Sequence, residues 1–579
     1  TMRSLAVAAL ACVLLAVVGS THAASDQCTG TPNPYPMYTG NPVLLNQSSN
    51  GYKFVSPECT APINVTRSLC VALVGYIRYI VGPDTLDPKL NLLHVYVLLR
   101  HGTFPPVRNV GSAFCRYGTP YEMGYAYGEL MAEEMKVLYP QAYEFMYSEL
   151  GSVLKVRQTT SLLARAPNRV LTRHTLVTQS LPASWQHIIE KVGIQVALDL
   201  TYDATKKYIP ARFTEEIQVR VHALEEAMVP CSLDITHYLP APFTQRMWHA
   251  TDVYGMQGIA AGSGIPFQTI MNLALFPELI KAACSMFGAW GPATASSRDG
   301  ALVQLRALDW STNGPFQQFP MVIVYHPSDE GHAFSVLSWA GMVGSITGYS
   351  SAEVGICEKV WADYKGKYSV TGIPWTFLLR DILQFDTTIE AAEQRLENAH
   401  RTCAIYVGIG DAKVPNFNLV DFSYPNITVY NDTDFPAYPP YHDLYDGLLF
   451  YDKHEQPSHN LCLNTLLKES FAATAFFIVF FFCVLCGGAT FLVAMLTCSL
   501  ISPNQDYGNI EPAVTYQNIT AVFQTGDMHI AIYDFAMGTM SVANAGVYNN
   551  VTGAEPAYNR QFVQLNMTEA FALPKPSSV

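Results

Sequence analysis

The sequence predicts an α+β fold in which helices cover packed sheets. Three observations carry this. Helical periodicity dominates from Tyr121 to about Leu279. Strand-like runs begin at Cys284, around an Asp299-Gly300 pair typical of a hairpin. The two textures then repeat, so the order along the chain is helices, strands, helices, strands.

Met2-Arg3, the uncharged run Ser4 to Gly19 and Thr21-His22-Ala23 read as a secretory signal peptide over residues 1–24. Residues 25–60 are rich in Pro, Asn, Ser and Gly and read as an extended lead-in. Tyr121, Tyr125, Met131, Met135 and Leu138 form the apolar stripe of a helix. Gly124 and Gly128 stand four apart within it. Each costs ~1 kcal/mol in a helix interior, so the pair predicts close packing against another element. Met286 to Ala293 and Ala301 to Leu308 read as strands, followed by Met321 to Tyr325, Ala333 to Trp339, and Ser345 to Val360 with a turn at Tyr349-Ser350-Ser351. Two helices are expected at Pro374 to Gln384 and Thr388 to Asn398, the second capped by Asp386 or Thr387. Ala404 to Ile409, Phe417 to Phe422, Ile519 to Phe523 and His529 to Tyr533 read as strands.

The chain has 579 residues, is 49% apolar and 14% charged, and carries a net charge of −13. An acidic balance with no Lys/Arg block argues against a nucleic-acid partner. The leader places the chain in the secretory pathway. Sequons at Asn46, Asn64, Asn426, Asn431, Asn518, Asn550 and Asn566 are candidate glycosylation sites. Setting aside Cys12 in the leader and Cys483, Cys486 and Cys498 in a long apolar run, nine cysteines remain. An odd number in an oxidising compartment leaves at least one thiol free or paired between chains. Outside the apolar run no C-x₂-C pair marks a metal site, and no cofactor is expected.

Cys284 stands where the texture changes. If the chain were cut before it, the new α-amine would share a residue with the thiol. A free α-amine has a pKa of ~7.7–8.0 and a thiol one of ~8.5, so the amine can act as base for its own side chain. The hairpin brings Leu305 to Trp310 back beside the first strand. Arg306 and Asp309 then lie near Cys284, Asp309 to orient the amine and Arg306 to lower the thiol pKa. Residues three apart face opposite ways on a strand, so a bulge or strand end near Leu308 is required. Taking Cys284 out of the count leaves eight cysteines, an even number.

Cys284-Ser285 opening a strand, a hairpin, then Arg306-Ala307-Leu308-Asp309-Trp310 resembles the choloylglycine hydrolase, acid ceramidase and isopenicillin-N acyltransferase group of N-terminal-nucleophile hydrolases. Gly118-Thr119-Pro120-Tyr121-Glu122-Met123-Gly124-Tyr125 resembles the helix opening the pro-segment of the acyltransferase-like (C45-type) members. Gly258-Ile259-Ala260 to Leu275, then Ala283-Cys284, resembles the approach to their self-cleavage site. Ser338-Trp339-Ala340-Gly341 to Gly348-Tyr349-Ser350-Ser351-Ala352 matches the strand pair after the nucleophile. Gly372-Ile373-Pro374 to Arg380-Asp381 is similar to the acid-ceramidase-like branch. The matches run in order from about Gly118 to Asn566.

The resemblance implies a four-layer αββα sandwich after a largely helical pro-segment: residues 25–283 as the first chain, 284–579 as the catalytic chain, and self-cleavage between Ala283 and Cys284. It makes Cys284 the nucleophile, Asp309 the partner of its amine and Arg306 a neighbour of both. The family's oxyanion Asn is replaced here by Ser350. A second family Asn falls near Asp411, Asn416 and Asn418, among which the sequence does not choose. The implied activity is hydrolysis of a linear, non-peptide amide with a hydrophobic N-acyl or acyl-lipid substrate, in a lysosomal or vacuolar lumen or outside the cell, with the two chains staying associated. The alternatives are a phospholipase-B-like ester hydrolase and a catalytically weak, ligand-binding member of the fold. A separate rival is a histidine phosphatase built on Arg100-His101-Gly102 and His442-Asp443, though Phe104 stands where that pattern wants a second Arg.

Phe471 to Ser502 carries no charge and is longer than the ~20 residues of a membrane span. Strands needed by the sandwich follow it, which a single crossing would strand on the far side. The insertion 471–506 therefore reads as a membrane hairpin bent at Gly487-Gly488, as a translated intron, or as buried core. Contact with a membrane or lipid stays among the expected partners.

Overall fold

Alternation along the strands becomes two stacked β-sheets in a computed structural model. It describes residues 28–40, 42–55, 112–163, 198–217, 258–279, 282–328, 330–369, 371–437, 439, 442–454, 461–467, 506–547 and 553–577. The larger sheet has ten strands, in the spatial order β1 (Val43–Ser48), β2 (Gly51–Val55), β3 (Ser112–Gly118), β6 (Pro320–Pro327), β7 (Phe334–Trp339), β8 (Thr347–Ser350), β9 (Val354–Val360), β10 (Ala404–Asp411), β11 (Asn416–Ser423) and β12 (Ile427–Tyr430). The smaller has six, in the order β13 (Leu448–Tyr451), β4 (Ala283–Ala289), β5 (Val303–Asp309), β14 (His529–Asp534), β15 (Thr539–Asn544) and β16 (Val563–Asn566).

Side chains alternate across each strand, and the alternation sorts the layers. On β4, Met286 meets Cys357, Tyr406 and Phe417 of the larger sheet. Phe287 and Ala289 point the other way, into a layer that includes Leu463, Leu466, Ile519 and Val522. The outer face of the larger sheet is covered by α1 (Pro120–Leu163), α2 (Ala211–Ile217), α3 (Ile259–Ser263), α4 (Phe267–Leu275), α5 (Trp375–Phe385) and α6 (Ile389–Asn398). The outer face of the smaller sheet is covered by α7 (Leu461–Leu467) and the helical stretch 512–523. The result is an αββα sandwich.

Two glycines set the spacing. A Cβ on Gly288 would run into the Phe417 side chain, so the sheets approach because β4 has no side chain there. A Cβ on Gly128 would strike the backbone of Ile259 and Ser263, which accounts for a glycine in the middle of α1.

β4 and β5 pair as expected, but β4 stops at Ala289 rather than Ala293 and a longer connection holding two 3-10 turns, Gly291–Ala293 and Ser296–Arg298, joins it to β5. Asp299 and Gly300 both adopt left-handed backbone conformations, φ 49° and 74°, and the Gly291 N–H donates to the Gly300 carbonyl at 2.9 Å. Three further details differ from the sequence reading. The segment before Cys284 is not wholly helical: β1 to β3 extend the larger sheet, with β3 parallel to β6. Ile519 to Phe523 is helical, because Ile519, Val522 and Phe523 recur at helical spacing and face the smaller sheet; a five-residue apolar run is ambiguous by periodicity. The cap of α6 is Thr388, whose hydroxyl accepts from the Ala391 N–H at 3.2 Å. Asp386 is taken by a two-pronged pair with Arg395 at 2.6 and 2.7 Å.

The leader and the apolar run Phe471 to Ser502 lie outside the described residues. Among the described residues no helix is long and apolar enough to cross a membrane. The flanks of the insertion meet: the Asp506 N–H donates to the Leu466 carbonyl at 2.8 Å. The chain thus leaves and rejoins the fold at one place. Replacing residues 468–505 by a short Gly/Ser linker is expected to keep a single cooperative melt, with a midpoint within about 3 °C of the parent. Failure to fold would show that the insertion completes the core.

Candidate active site

β4 and β5 pair with no bulge, Cys284 opposite Leu308 and Ala283 opposite Asp309. Even-numbered residues of both strands face the larger sheet. Cys284 and Arg306 therefore share a face as diagonal neighbours across the pair. Both are fully buried. Arg306 Nη2 donates to Cys284 Sγ at 3.4 Å and to Glu358 Oε2 on β9, also at 3.4 Å. Arg306 Nη1 lies 2.7 Å from His529 Nε2 on β14. A guanidinium has donors only, so His529 Nε2 is the acceptor and its ring proton sits on Nδ1. The Thr347 hydroxyl on β8 reaches the same nitrogen at 3.1 Å.

Asp309 ends β5 and, being odd-numbered, leaves the opposite face. The required break in alternation is thus met by the strand end. Its carboxylate accepts from the Thr525 hydroxyl at 2.6 Å and the Gly526 N–H at 3.0 Å, with Lys453 Nζ at 3.5 Å. Thr525 Oγ1 lies 2.7 Å from Ser285 Oγ. Because Thr525 gives its one proton to the carboxylate, Ser285 donates to Thr525. In the uncut chain Asp309 holds these partners one residue pair from Cys284.

Burial dominates the ionisation. It pushes the Cys284 thiol up to about 12, with Arg306 opposing the rise and Glu358 and Asp309 adding to it. Burial also raises Glu358 to about 7, against the pull of Arg306 and Lys359. His529 is held well below its usual value by burial and by Arg306, and is neutral. Before any cut, Cys284 is a protonated thiol at neutral pH.

A cavity opens beside this group. Its walls include Phe276, Leu308, Trp310, Phe316, Trp339 and Trp375 together with Arg306 and Glu358; Cys284 is not on the wall and is joined to it through Arg306. Trp310 packs against Phe316 and Trp339 at ring separations of 4.7 and 6.3 Å. Ala282, just before the proposed cut, is part of the wall.

The structure brings Cys284 and Arg306 into contact and sets Asp309 beside them. It does not bring in Ser350, Asp411 or Asn416. Thr347 is paired with Cys357, and Ser350 lies three residues further along β8, about 10 Å at strand rise. The Ser350 hydroxyl donates to the Val354 carbonyl at 3.4 Å. Asp411 and Asn416 pair at the β10–β11 turn. Asp411 accepts from the Ile389 N–H at the start of α6 and from the Lys413 N–H. The neighbouring Phe417 packs on Gly288, four residues along β4 from Cys284. Glu358, Thr347, His529 and Thr525 were not singled out from sequence. The available signal was a charged pair, Glu358-Lys359, inside a strand that is buried throughout, and a histidine opening an apolar one.

Among the other candidates, Asn46, Asn426 and Asn566 are exposed and Asn431 and Asn518 are half-buried; Asn64 and Asn550 lie outside the described residues. Residues 100–102 of the phosphatase rival also lie outside them. Its His442 is buried, stacked on Phe450 at 3.9 Å with Nε2 bonded to the Phe450 carbonyl at 2.7 Å. Among the described residues no cluster could hold a metal ion. Cys28 and Cys462 form a disulfide. Cys357 is a buried thiol, like Cys284, so the even count of eight does not resolve into four bridges. Cys357 is held instead by Gln304 Nε2, which donates to its sulfur at 3.3 Å, and by the Gly408 carbonyl at 3.6 Å.

No family model matches the chain. Protein dcd1A of Dictyostelium discoideum is 33% identical over 578 residues, spanning 97% of each chain. The chain belongs to the dcd1 family. Dcd1B of the same organism is 32% identical over 478 residues, 80% of this chain and 76% of that protein. Solved structures overlay on this dcd1-family chain only shallowly. The Caenorhabditis elegans ortholog of N-acylethanolamine-hydrolyzing acid amidase gives a TM-score of 0.27 at 14% identity, over 43% of this chain and 92% of that one. Penicillin V acylase from Agrobacterium tumefaciens gives 0.27 at 12%, over 49% and 87%. The architecture stands on its own sheet order and layers.

One further carboxyl lies close to the cut. Glu278 Oε1 accepts from the Trp375 N–H at 2.7 Å, at the start of α5. The residue is only part-buried, but its carboxyl end is enclosed, and burial raises it to about 7 against hydrogen bonds from Trp375 and Thr402. A raised carboxyl binds its proton more tightly when folded. Its contribution is therefore full below about pH 4.5 and is lost as pH rises through about 7. Glu278→Gln should flatten the fall in melting temperature between pH 5 and pH 8, measured by calorimetry; an unchanged slope would place the titration elsewhere.

Proposed function

We propose that this protein is a self-processing cysteine hydrolase of the N-terminal-nucleophile kind, acting on a linear non-peptide amide with a hydrophobic N-acyl group. The observation that supports this most directly is Arg306, which donates to Cys284 and also lines a mainly apolar cavity. The Cys28–Cys462 bridge supports an oxidising lumen as the compartment.

Self-processing begins with attack of Cys284 Sγ on the Ala283 carbonyl. The thiol proton passes to the Cys284 nitrogen, the C–N bond breaks and a thioester forms. Water then releases the Ala283 carboxylate and restores the thiol. The new α-amine arises opposite Leu308 and beside Asp309, and a free α-amine titrates at ~7.7–8.0. It takes the thiol proton, and the thiolate adds to the substrate carbonyl. The ammonium returns that proton to the leaving nitrogen, and water cleaves the acyl-Cys284 ester. Aromatic walls bury the acyl chain, each CH₂ contributing ~0.8 kcal/mol.

The placement of Ser350, Asp411 and Asn416 away from Cys284 favours a second reading, a ligand-binding member of the fold with weak catalysis. An oxyanion donor is worth ~10²–10³ in rate. Intact-mass measurement of reduced protein separates the readings. Two fragments are expected, the second beginning Cys284-Ser285-Met286-Phe287, with Cys284→Ala left whole. A wild-type chain that stays whole at every pH from 4 to 8 would refute self-processing. Matched N-acyl amides and acyl esters then distinguish amidase from esterase.

Glu358 gives this chemistry a pH dependence. Above about pH 7 its carboxylate shares Nη2 of Arg306 with the sulfur and opposes the thiolate; below, it is neutral and no second charge competes with the sulfur for Nη2. Self-cleavage should therefore be faster at pH 5 than at pH 8. Glu358→Gln should bring the two rates within about threefold of one another; a pH preference that survives the substitution would assign it to another group.

A further inference from the structure

We propose that His529 is a positioning residue: as a neutral acceptor it aims the Arg306 guanidinium at Cys284. This rests on Cys284 being the nucleophile, as proposed above. The argument is geometric. Arg306 has four nearby groups: Cys284 and Glu358 at Nη2, His529 at Nη1, and Thr347 behind His529. Nη1 has a tight contact to His529 at 2.7 Å, while Nη2 is shared between Cys284 and Glu358 at 3.4 Å each. Nη1 and Nη2 are parts of one rigid plane, so fixing Nη1 fixes where Nη2 points.

The sheet makes His529 suited to this. On β14, Ala531 stands directly opposite Arg306, and its small side chain leaves room. His529 is two residues along on the same face, the diagonal neighbour of Arg306. Its ring lies 5.3 Å from Trp339, tilted by 34°. Its backbone is gripped by both flanking strands, opposite Leu308 and Asn544. Charged groups around it are Arg306 and, across that residue, Glu358. Next to a guanidinium in a buried site a second cation is excluded, so the imidazole keeps its Nε2 lone pair for Arg306.

Without this acceptor the guanidinium is free to turn fully onto the Glu358 carboxylate. That would be the stronger charge-assisted pair, and it would withdraw Nη2 from the sulfur. His529 thus acts through Arg306 and touches neither substrate nor nucleophile. Outer partners of this type are commonly worth ~10–100-fold.

The test uses the full chain with His529→Leu, His529→Asn and His529→Gln. Gln carries an acceptor at about the reach of Nε2; Asn is one methylene short. Self-cleavage of reduced protein at pH 8, where Glu358 is a carboxylate, followed by intact mass, should slow by ~30-fold in the Leu variant and ~10-fold in the Asn variant, and stay within about threefold of wild type in the Gln variant. Crystal structures should show Nη2 moved away from Sγ by more than about 1 Å in the Leu or Asn variant and retained in the Gln variant. Should the Leu variant fail to fold, the Asn/Gln comparison decides. Gln as slow as Asn, or Arg306 unmoved in both Leu and Asn, overturns the inference. If the wild type never self-cleaves, the functional reading fails, and the crystallographic comparison alone still decides the role of His529.

Discussion

The buried guanidinium of Arg306 ties the two sheets together. Removing a guanidinium from water costs several kcal/mol unless its donors are met. Arg306 meets part of that need through its two terminal nitrogens, with a thiol from β4, an imidazole from β14 and a carboxyl from β9, while Nε is left without a partner. Three strands from two sheets must therefore hold their registers together. A slip of one residue would turn any of these side chains to the wrong face. The tight approach of Phe417 to Gly288 fixes the distance between the sheets on the same strand that carries Cys284.

The same burial holds the Cys284 thiol protonated in the intact chain. A thiol raised to about 12 is a poor nucleophile, and the carboxyl beside Arg306 shares its charge. Asp309 is already satisfied by Thr525, Gly526 and Lys453. A new amine would enter an existing carboxylate cage in place of an amide. Activation in this scheme is a change of one functional group at one backbone atom, inside walls already built. The cavity is equally ready-made, its aromatic rings locked against one another before any ligand arrives.

Much of this was legible in the sequence, for identifiable reasons. The turn signal at Asp299-Gly300 brought the two strands together, and the resemblance of Cys284-Ser285 and Arg306 to Trp310 to a known pattern led to Cys284, Arg306 and Asp309. The layered α+β arrangement followed from periodicity. What stayed hidden depends on pairing between distant segments. Nothing local to His529 or Glu358 says that β14 and β9 will meet at Arg306, in chain order hundreds and tens of residues away. Ser350 illustrates the converse. Its position in a familiar motif marked it, yet the register of β8 against β9 points Thr347, not Ser350, toward the buried cluster. Likewise β1 and β2 lie in a stretch whose turn-rich composition hid that they pair as strands, and β3, far along the chain, joins them to β6.

The disulfide between Cys28 and Cys462 spans 434 residues of sequence, and the Ala283–Cys284 bond lies inside the loop it closes. Hydrolysis of that bond would open a ring without making two molecules. Unfolding would then remain a unimolecular event, with a midpoint independent of protein concentration, where an unlinked pair of fragments would obey mass action. Each half would meet the other at the high local concentration of a tether. Refolding after the cut would need no chance encounter, and dilution on export from the compartment would not dissolve the site.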